Sequence, residues 1–366
     1  MRHPYEGIGD YARWDRGVAN VRPSDIDPVV RFPLRVTPQQ AIVTAGSCFA
    51  QHIARYLKDA GFNYLVTEPG HPLLPPDIRD AFNYGVFSAR FGNIYTSTQL
   101  DQLFRRAYGT FVPADSVWER PDGRLVDPWR PTIQPGGFPT REELEADRRQ
   151  HLAAVRRAFE ALDVLIFTLG LTECWQAVAD GAVFPLVPGV AGGTFDPSRY
   201  TFLNLGVNEV VSDMTRFITS LRTVNASATV ILTVSPVPLI ATALDRHVLV
   251  SSTYSKAVLR VAAETLSTTI EGVHYFPSFE IVTGAFSRGH YFAEDLRLVT
   301  EQGVSHVMSL FFRHATTAGD LPRTAADAAP APSPPAAVGT IGTAIEVLCD
   351  EELLTLDRGG AGGDRT

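Results

Sequence analysis

The stretch Ala41-Ile-Val-Thr-Ala-Gly-Ser-Cys-Phe-Ala-Gln-His-Ile-Ala-Arg-Tyr-Leu57 decides the fold. Its beginning, residues 41–45, is short, apolar and rich in β-branched side chains, which predicts a buried strand. Gly46 then permits a sharp turn that a side chain would resist. Beyond the turn, apolar residues recur at helical spacing, namely Phe49, Ile53 and Leu57. The chain therefore passes from a buried strand into a helix.

Ser47 lies at this junction between strand and helix. A hydroxyl there points out of the sheet edge, close to unpaired N–H groups and the positive end of a helix dipole. Such a place suits the stabilisation of an oxyanion. Serine also commonly caps helices, so the local pattern leaves a nucleophile and a helix cap equally open. The neighbouring Cys48 is interpreted as a small packed hydrophobe rather than a nucleophile, although a thiol at a helix start can have a lowered pKa.

Composition limits the classes of function. The chain has 366 residues, 45% of them hydrophobic and 20% charged, enough for one large or two ordinary domains with a sizeable core. Its net charge of −8 gives no basic footprint, so we expect no nucleic-acid partner. The three cysteines do not indicate a disulfide framework, and no Cys/His spacing suggests zinc. With no P-loop either, we expect no metal and no cofactor.

The N-terminal residues lack the apolar core of a signal peptide. No stretch approaches the roughly 18 apolar residues of a membrane span. We therefore expect a soluble cytoplasmic protein. The sequence gives no indication of the oligomeric state.

Strand patterns alternate with helical ones along the chain. The strands are expected near residues 41, 63, 164, 229 and 273, and the helices at about 97–108, 140–162, 207–223, 254–269 and 300–313. This alternation predicts βαβ crossovers and a mainly parallel sheet covered on both faces. Functional residues gather at the carboxyl ends of the strands in such sheets. Three polar motifs occupy such ends: Gly46-Ser47, Gly170 to Glu173 and Ser235 to Pro238.

The domain organisation follows from shifts in composition. Residues 1–34 are expected to wrap the outside of a domain that spans residues 35–314. Within that domain, the polar, Pro/Gly-rich residues 109–140 read as an insertion or a small hairpin, and residues 176–205 as largely loop. Residues 315–366 form an Ala/Pro-rich linker and a tail that we expect to be disordered.

The chain resembles a known family. Gly46-Ser-Cys-Phe-Ala50 is the signature of the GSCFA-domain proteins, which are grouped with the SGNH (GDSL-like) hydrolases. The likeness covers roughly residues 35–313, with further motifs in the same order: Phe91-Gly-Asn-Ile-Tyr-Thr96, Thr168-Leu-Gly-Leu-Thr-Glu173, Thr233-Val-Ser-Pro-Val237, Tyr254-Ser-Lys256 and Phe276-Pro-Ser-Phe-Glu-Ile281. This resemblance implies a flavodoxin-like three-layer α/β/α sandwich. It also implies a serine esterase or acyltransferase that acts on a small-molecule or saccharide acyl ester.

The resemblance assigns roles to several residues. Ser47 corresponds to the nucleophile, and its backbone N–H would form the oxyanion hole together with that of Gly92. Thr172 occupies the position of the family's usual Asn, and its hydroxyl can donate one hydrogen bond. Asn93, beside Gly92, could compensate for the missing amide. Glu173 would orient a catalytic or substrate group, or pair with an arginine of the loop.

The general base is the point at which the sequence departs from the family. Asp295 matches the Asp of the usual Asp-x-x-His block, but Leu298 occupies the His position and cannot accept a proton. The substitutes, in order of preference, are His247, His306 and His290. Asp295 is assigned a site role, with capping of the following segment as the alternative reading.

Two further readings stay open. Tyr254-Ser-Lys256 contains a Ser-Lys pair, and lysine can act as a base, but a position in the first turn of a helix favours a solvated Lys256. A different class of function is a non-catalytic binding protein that kept the fold and lost the base, which Leu298 supports.

Overall fold

The computed structural model describes residues 3–319 and 349–354. The strands are β1 (Ile42–Gly46), β2 (Trp118–Glu119), β3 (Leu125–Val126), β4 (Val164–Leu169), β5 (Glu173–Ala177), β6 (Val183–Phe184), β7 (Tyr200–Asn204), β8 (Thr229–Val234) and β9 (Val273–Tyr275). The α-helices are α1 (Phe49–Asp59), α2 (Pro76–Ala81), α3 (Ser97–Ala107), α4 (Arg141–Ala161), α5 (Val207–Val224), α6 (Val248–Thr269), α7 (Ser278–Thr283) and α8 (Glu301–Ala315).

The centre of the molecule is a four-stranded sheet in the order β1-β4-β8-β9, and every neighbouring pair in it is parallel. Side chains alternate between its two faces, as the period of a strand requires. Val43, Phe167 and Leu232 lie in one apolar core, whereas Ile42 and Ile166 lie in the other. Because both faces are buried, the strands read as continuous apolar runs.

Helices cover both faces of this sheet. The apolar sides of α3, α4, α5 and α6 fill the first core, whereas α1, α7 and α8 fill the second. Threonine caps fix where several helices begin: the hydroxyls of Thr96, Thr140 and Thr300 each accept a hydrogen bond from an amide in the first turn. The predicted three-layer α/β/α architecture with a mainly parallel sheet is confirmed.

The strand expected near residue 63 is reduced to one bridge, between Tyr64 and Ile42. Directly beyond it the chain leaves the sheet, and the amide of Thr67 donates to the carbonyl of Ser88 instead of to a strand. Helix α6 also differs from the prediction, because it begins at Val248 rather than at residue 254, with His247 as its N-cap.

Two small sheets extend the core domain. Within the predicted insertion, β2 and β3 form an antiparallel hairpin. Within residues 176–205, expected to be largely loop, the strands β6, β5 and β7 form an antiparallel sheet. Aromatic residues of the two small sheets pack together, since Trp118 and Phe184 are fully buried with ring centroids 5.0 Å apart.

A group of buried charged residues, here called the arginine cluster, joins the insertion to the main domain. It comprises Glu68, Arg90, Asp127, Arg130, Asp147, Arg148 and His151. Arg130 Nη2 lies 2.8 Å from Asp127 and 2.7 Å from Asp147. Arg90 Nη1 lies 3.0 Å from Asp147, which belongs to α4. Each charge in the cluster therefore faces an opposite charge.

Segments close to both ends of the chain pack against the domain. Residues 26–32 pack on the outer face of the domain, where Val29 and Phe32 join the second core. Residues 349–354, which fall within the predicted tail, form a 3-10 turn that packs on the domain at Asp350–Leu354. The rest of the predicted linker and tail lies outside the described residues. Within residues 3–319 and 349–354, none of the helices combines the length and apolarity that crossing a membrane requires.

Candidate active site

The junction between β1 and α1 depends on a glycine. Gly46 has φ +133°, and a Cβ at this position would stand 2.3 Å from the carbonyl oxygen of Thr168 on β4. Only glycine fits there, because the conformation is closed to other residues and the obstacle is backbone. The chain can therefore turn directly at the end of the strand, and it places Ser47 at the carboxyl edge of the sheet.

Ser47 is buried, with 3% of its surface exposed, and its Oγ has no hydrogen-bond partner among the described residues. The residue before the first turn of α1 is Cys48, and within the described residues no side chain caps that helix end. The alternative reading of Ser47 as a helix cap is therefore not what the structure shows. A buried hydroxyl without a partner is costly, which makes this position unusual for a purely structural serine.

The loop of residues 91–96 lies across the ends of β1 and β4. The amide of Ile94 donates to the carbonyl of Gly46 at 2.7 Å, and the amide of Gly170 donates to the carbonyl of Tyr95 at 3.1 Å. Gly92 adopts φ +71°, and both Gly92 and Asn93 are buried. The motifs of Gly46-Ser47 and Gly170 thus meet at one edge of the sheet, as predicted from their positions after strands, and the 91–96 motif joins them there.

Gly170 is the point at which this edge is most crowded. A Cβ at Gly170 would stand 3.0 Å from the Cβ of Ser47 and 3.0 Å from the carbonyl oxygen of Tyr95. The carbonyl of Gly170 accepts a hydrogen bond of 2.7 Å from Lys256 Nζ. Ser47 and Lys256 therefore approach the same residue.

Lys256 is buried, with 5% of its surface exposed. The pKa of Lys256 is lowered to about 7, mainly by burial. The nearby Arg297 contributes to this lowering, whereas Glu351 and Cys48 act in the opposite direction. The expectation of a solvated first-turn lysine is wrong. Helix α6 begins at Val248, so Lys256 lies about two turns beyond its start and on its buried side. A lysine with such a pKa exists partly as the free amine at neutral pH and can accept a proton.

Two of the expected oxyanion donors are already engaged. The amide of Ser47 donates to the carbonyl of Thr168 at 3.2 Å. The hydroxyl of Thr172 donates to Asn204 Oδ1 at 2.7 Å. Of the other predicted donors, Asn93 bonds to residues outside the sheet, since its Nδ2 donates to Asp350 at 3.0 Å.

Glu173 supports a wall of the site rather than its centre. Thr242 Oγ1 donates to one carboxylate oxygen at 2.7 Å, and the amide of Ala243 donates to the other at 3.4 Å. Glu173 therefore ties the loop before α6 to the start of β5, and no arginine pairs with it among the described residues.

The three candidate histidines have other surroundings. His247 is exposed and caps α6, since its Nδ1 accepts the amide of Leu249 at 3.1 Å. His306 is buried, and its ring nitrogens lie 2.8 Å from the hydroxyl of Tyr291 and 2.8 Å from the carbonyl of Ile26. His290 is exposed. Within the described residues, none of them hydrogen-bonds to Ser47 Oγ.

Asp295 closes a turn of its own. Its Oδ1 accepts the amides of Arg297 and Leu298, each at 3.0 Å. The side chain is exposed, and no histidine bonds to it in the part of the chain that the structure describes. This arrangement corresponds to the capping alternative for Asp295.

Residues 349–354 lie in the site, and the sequence interpretation missed them. Asp350 accepts hydrogen bonds from Asn93 Nδ2 at 3.0 Å and Thr132 Oγ1 at 2.7 Å, and its amide donates to Tyr95 at 3.0 Å. Arg297 Nη2 donates to Glu351 at 2.7 Å. Burial raises the pKa of both acidic side chains.

The segment also contacts the residue next to Ser47. A hydrogen bond with the Cys48 thiol, together with burial, raises the pKa of the Cys349 thiol. Both thiols are free and buried. Cys48 thus packs among apolar residues of the second core, as the sequence predicts for a small hydrophobe.

Two cavities flank the segment. The first, of about 200 Å³, lies between β5, β7 and the loop before α6, and Glu351 and Leu354 line part of it. Its other walls are mainly apolar, including Leu171, Trp175 and Phe202. The second, of about 580 Å³, lies beside the β2–β3 hairpin and is lined in part by Thr132 and Leu353. Among the described residues, no group of three or more His, Cys, Asp or Glu side chains is placed to hold a metal ion.

Comparison with known proteins agrees with the motifs at this edge of the sheet. Among curated proteins, none matches the chain. The sequence model of the GSCFA family matches residues 41–311, a span that runs from the strand before Ser47 to the last helix. Because this match covers most of the chain, the protein belongs to the GSCFA family.

Proposed function

We propose that the chain is a serine-dependent acyl ester hydrolase or acyltransferase of the SGNH type, which forms an acyl-enzyme on Ser47. One observation carries the proposal: Gly170 packs against the Cβ of Ser47, a buried serine whose hydroxyl has no partner among the described residues, and its carbonyl accepts the hydrogen bond of Lys256, a buried lysine of lowered pKa. Lys256 takes the place of the histidine that the family pattern supplies. A Ser-Lys pair is a recognised way to activate a serine nucleophile.

The chemistry follows from these groups. Neutral Lys256 accepts the proton of Ser47 Oγ as the oxygen attacks the ester carbonyl carbon. The resulting ammonium then protonates the departing alkoxide, which leaves the acyl group on Ser47. Lys256 next takes a proton from water or from an acceptor hydroxyl, which attacks the acyl-enzyme. Collapse of that second tetrahedral intermediate releases an acid or a new ester and returns the proton to Ser47.

The oxyanion of both intermediates needs hydrogen-bond donors. We assign them to the amide of Gly92 and the side chain of Asn93. The Ser47 amide and the Thr172 hydroxyl donate to Thr168 and Asn204, whereas Asn93 Nδ2 donates to Asp350 of residues 349–354. Removal of one such donor is worth about 10²–10³ in kcat in enzymes of this kind. The resemblance to SGNH proteins suggests a small acyl group on a saccharide or another small molecule as the substrate.

A fluorophosphonate probe tests the nucleophile directly, since it phosphonylates an activated serine. We expect labelling of the full chain at Ser47, identified by mass spectrometry, and no labelling of Ser47→Ala. Ser97→Ala is a matched control, because Ser97 is equally buried but its hydroxyl donates to Asp213. Labelling at another serine, or equal labelling of Ser47→Ala, would contradict the proposal.

A non-catalytic binding protein is the second candidate. The observation in its favour is Leu298, which occupies the position of the family's histidine and lies next to the turn closed by Asp295. A binding protein would show no labelling of Ser47 and no hydrolysis of p-nitrophenyl acetate in any variant, including those that open the site.

A further inference from the structure

Residues 349–354, here called the C-terminal segment, cross the candidate site at the positions that chemistry would use. Asp350 accepts the hydrogen bond of Asn93 Nδ2 at 3.0 Å. Asn93 is one of the two groups assigned above to the oxyanion. A negatively charged oxygen of the chain itself therefore occupies a place where a reacting ester would develop negative charge.

Glu351 marks a second position. It bonds to Arg297, whose surface is 8% exposed and whose Nε has no partner among the described residues. The other acidic neighbour of this guanidinium is Glu352, at 3.8 Å. Without Glu351, a buried guanidinium would face the site, and such a group binds carboxylates strongly because its paired N–H groups match the two oxygens.

The apolar side chains of the segment fill the remaining space. Leu354 lines the cavity of about 200 Å³, and Leu353 lines the cavity of about 580 Å³ on the other side. The segment thus lies between the two cavities, while Asp350 and Glu351 bond to Asn93 and Arg297. It contacts polar and apolar walls together, as a bound ligand would.

We propose that the C-terminal segment is an internal substrate mimic, and that the true substrate is an ester with a carboxylate that binds Arg297 in place of Glu351. This inference rests on the proposed acyl-enzyme function of Ser47. In the closed arrangement Asp350 blocks Asn93, so an ester reaches Ser47 only after the segment has left. The segment and an anionic substrate therefore compete for one groove.

The first experiment measures release of the segment in the full chain. Glu351→Gln and Asp350→Asn each remove a charge-assisted hydrogen bond, so we expect the rate of fluorophosphonate labelling at Ser47 to rise about tenfold or more. Alkylation of Cys48 by iodoacetamide, followed by mass spectrometry, should accelerate in parallel, because Cys349 covers this thiol. Glu264→Gln is the matched control, since Glu264 is exposed and accepts a hydrogen bond of 2.8 Å from Arg260 away from the segment, and it should leave both rates unchanged.

The two readouts separate the two hypotheses. Unchanged alkylation of Cys48 in both variants, with Ser47 still labelled, would overturn the segment as an occupant and leave the proposed function standing. Faster alkylation of Cys48 with no labelling of Ser47 in any variant would reject the acyl-enzyme and, with it, the substrate mimic.

The second experiment tests the anionic substrate in the Glu351→Gln chain. Hydrolysis of neutral p-nitrophenyl acetate is compared with two anionic esters, p-nitrophenyl hydrogen succinate and 4-acetoxybenzoate, which carry the carboxylate on the acyl and the alcohol side. We expect kcat/KM to favour one anionic ester, and Arg297→Gln to remove about tenfold or more of that preference. Arg297→Lys should retain part of it. An equal loss of kcat/KM for all three esters in Arg297→Gln, or no preference for an anionic ester in Glu351→Gln, would overturn the proposal.

Discussion

The arginine cluster and the site around Ser47 both bury ionisable groups, but they differ in whether the charged form of the buried group is favoured. In the cluster, a hydrogen bond with His151 and nearby arginines outweigh burial and lower the pKa of Glu68 to about 2. In the site, burial dominates and lowers the pKa of Lys256 to about 7. The cluster keeps its carboxylates ionised, whereas the lowered pKa of Lys256 leaves that side chain partly unprotonated at neutral pH.

The difference lies in where the partners come from. The ion pairs of the cluster join side chains that all lie between residues 68 and 151. In the site, Asn93 and Arg297 find their carboxylates on the C-terminal segment, and Ser47 has no partner among the described residues. Polar groups whose partners are replaceable, or absent, are those available for ligands and chemistry.

The largest effect is expected from removal of the base. Lys256→Met should lower the rate of ester hydrolysis by about 10²–10⁴, because general base catalysis is lost. Lys58→Met is the matched control, since Lys58 is the other lysine of the chain and also donates to a glycine carbonyl, that of Gly85 at 2.7 Å. Steady-state kinetics in the Glu351→Gln background measures both. A normal rate of ester hydrolysis in Lys256→Met would show that another residue is the general base, and His247→Gln would then test the first of the histidines.

The arginine cluster should respond in stability rather than in chemistry. Asp127→Asn leaves Arg130 and Arg148 short of a buried countercharge, so we expect the free energy of unfolding to fall by about 3–5 kcal/mol. Urea denaturation followed by circular dichroism measures it. Asp122→Asn, which removes an exposed partner of Arg120, should leave the denaturation midpoint unchanged. Equal midpoints for both variants would contradict the contrast drawn between the two regions.

Lys256→Met should also make the protein more stable, by about 1–4 kcal/mol at pH 7. The folded-state pKa of about 7 lies below the ordinary value, so the unfolded chain binds more protons between these two values. Stability of the native sequence therefore rises with pH through this window, and the penalty is complete below it. Urea denaturation at pH 7 and pH 9 should show the rise in the native sequence and not in Lys256→Met. A destabilised Lys256→Met would mean that the lysine is structural.

The rate should follow the same ionisation. Below pH 7 we expect ester hydrolysis to increase about tenfold per pH unit and to level off above it, because only neutral Lys256 accepts the proton of Ser47. Glu351 and Cys48 raise this pKa and Arg297 lowers it. A pH–rate profile checks this dependence, and Lys256→Met should lose the inflection. An inflection that persists in Lys256→Met would assign it to another group.

The smallest effect is expected at Thr172. Its hydroxyl donates to Asn204, so Thr172→Val should cost about 1 kcal/mol in the free energy of unfolding and leave kcat nearly unchanged. Asn93→Ala, by contrast, should lower kcat by about 10²–10³. Steady-state kinetics gives kcat, and urea denaturation gives the free energy of unfolding, for both variants. A large loss of kcat in Thr172→Val would return the oxyanion role to this residue.

Much of the fold was predictable because its signals are local. The buried strand before Ser47, the alternation of strands and helices and the start of α4 at Thr140 can each be recognised from short stretches. The start of α6 was not, because Ser251-Ser-Thr253 has low helix propensity and reads as loop. That one boundary decided whether Lys256 was placed in solvent or in the core.

The site was predictable as a place but not as a set of partners. Ser47 and Gly170 lie at the carboxyl edge of the sheet, as their positions after strands indicate, whereas the place of Asn93 at this edge follows from contacts of the 91–96 loop. With Leu298 at the position of the histidine, the sequence favoured other histidines as the base. A general base must lie close to the nucleophile in the fold, which residue type and sequence position alone do not reveal. The C-terminal segment gave only a short acidic and apolar signal, Asp350-Glu-Glu-Leu-Leu354, far from the motifs that it contacts.

The C-terminal segment has a kinetic consequence because it belongs to the same polypeptide as the groove. A ligand attached in this way competes at an effective concentration that is commonly of order millimolar, whatever the protein concentration. An ester supplied at micromolar concentration would then meet an enzyme that looks inert, and dilution would not relieve it. Detection of turnover in the native sequence therefore calls for substrate near millimolar concentration, or for a second molecule that takes the segment away.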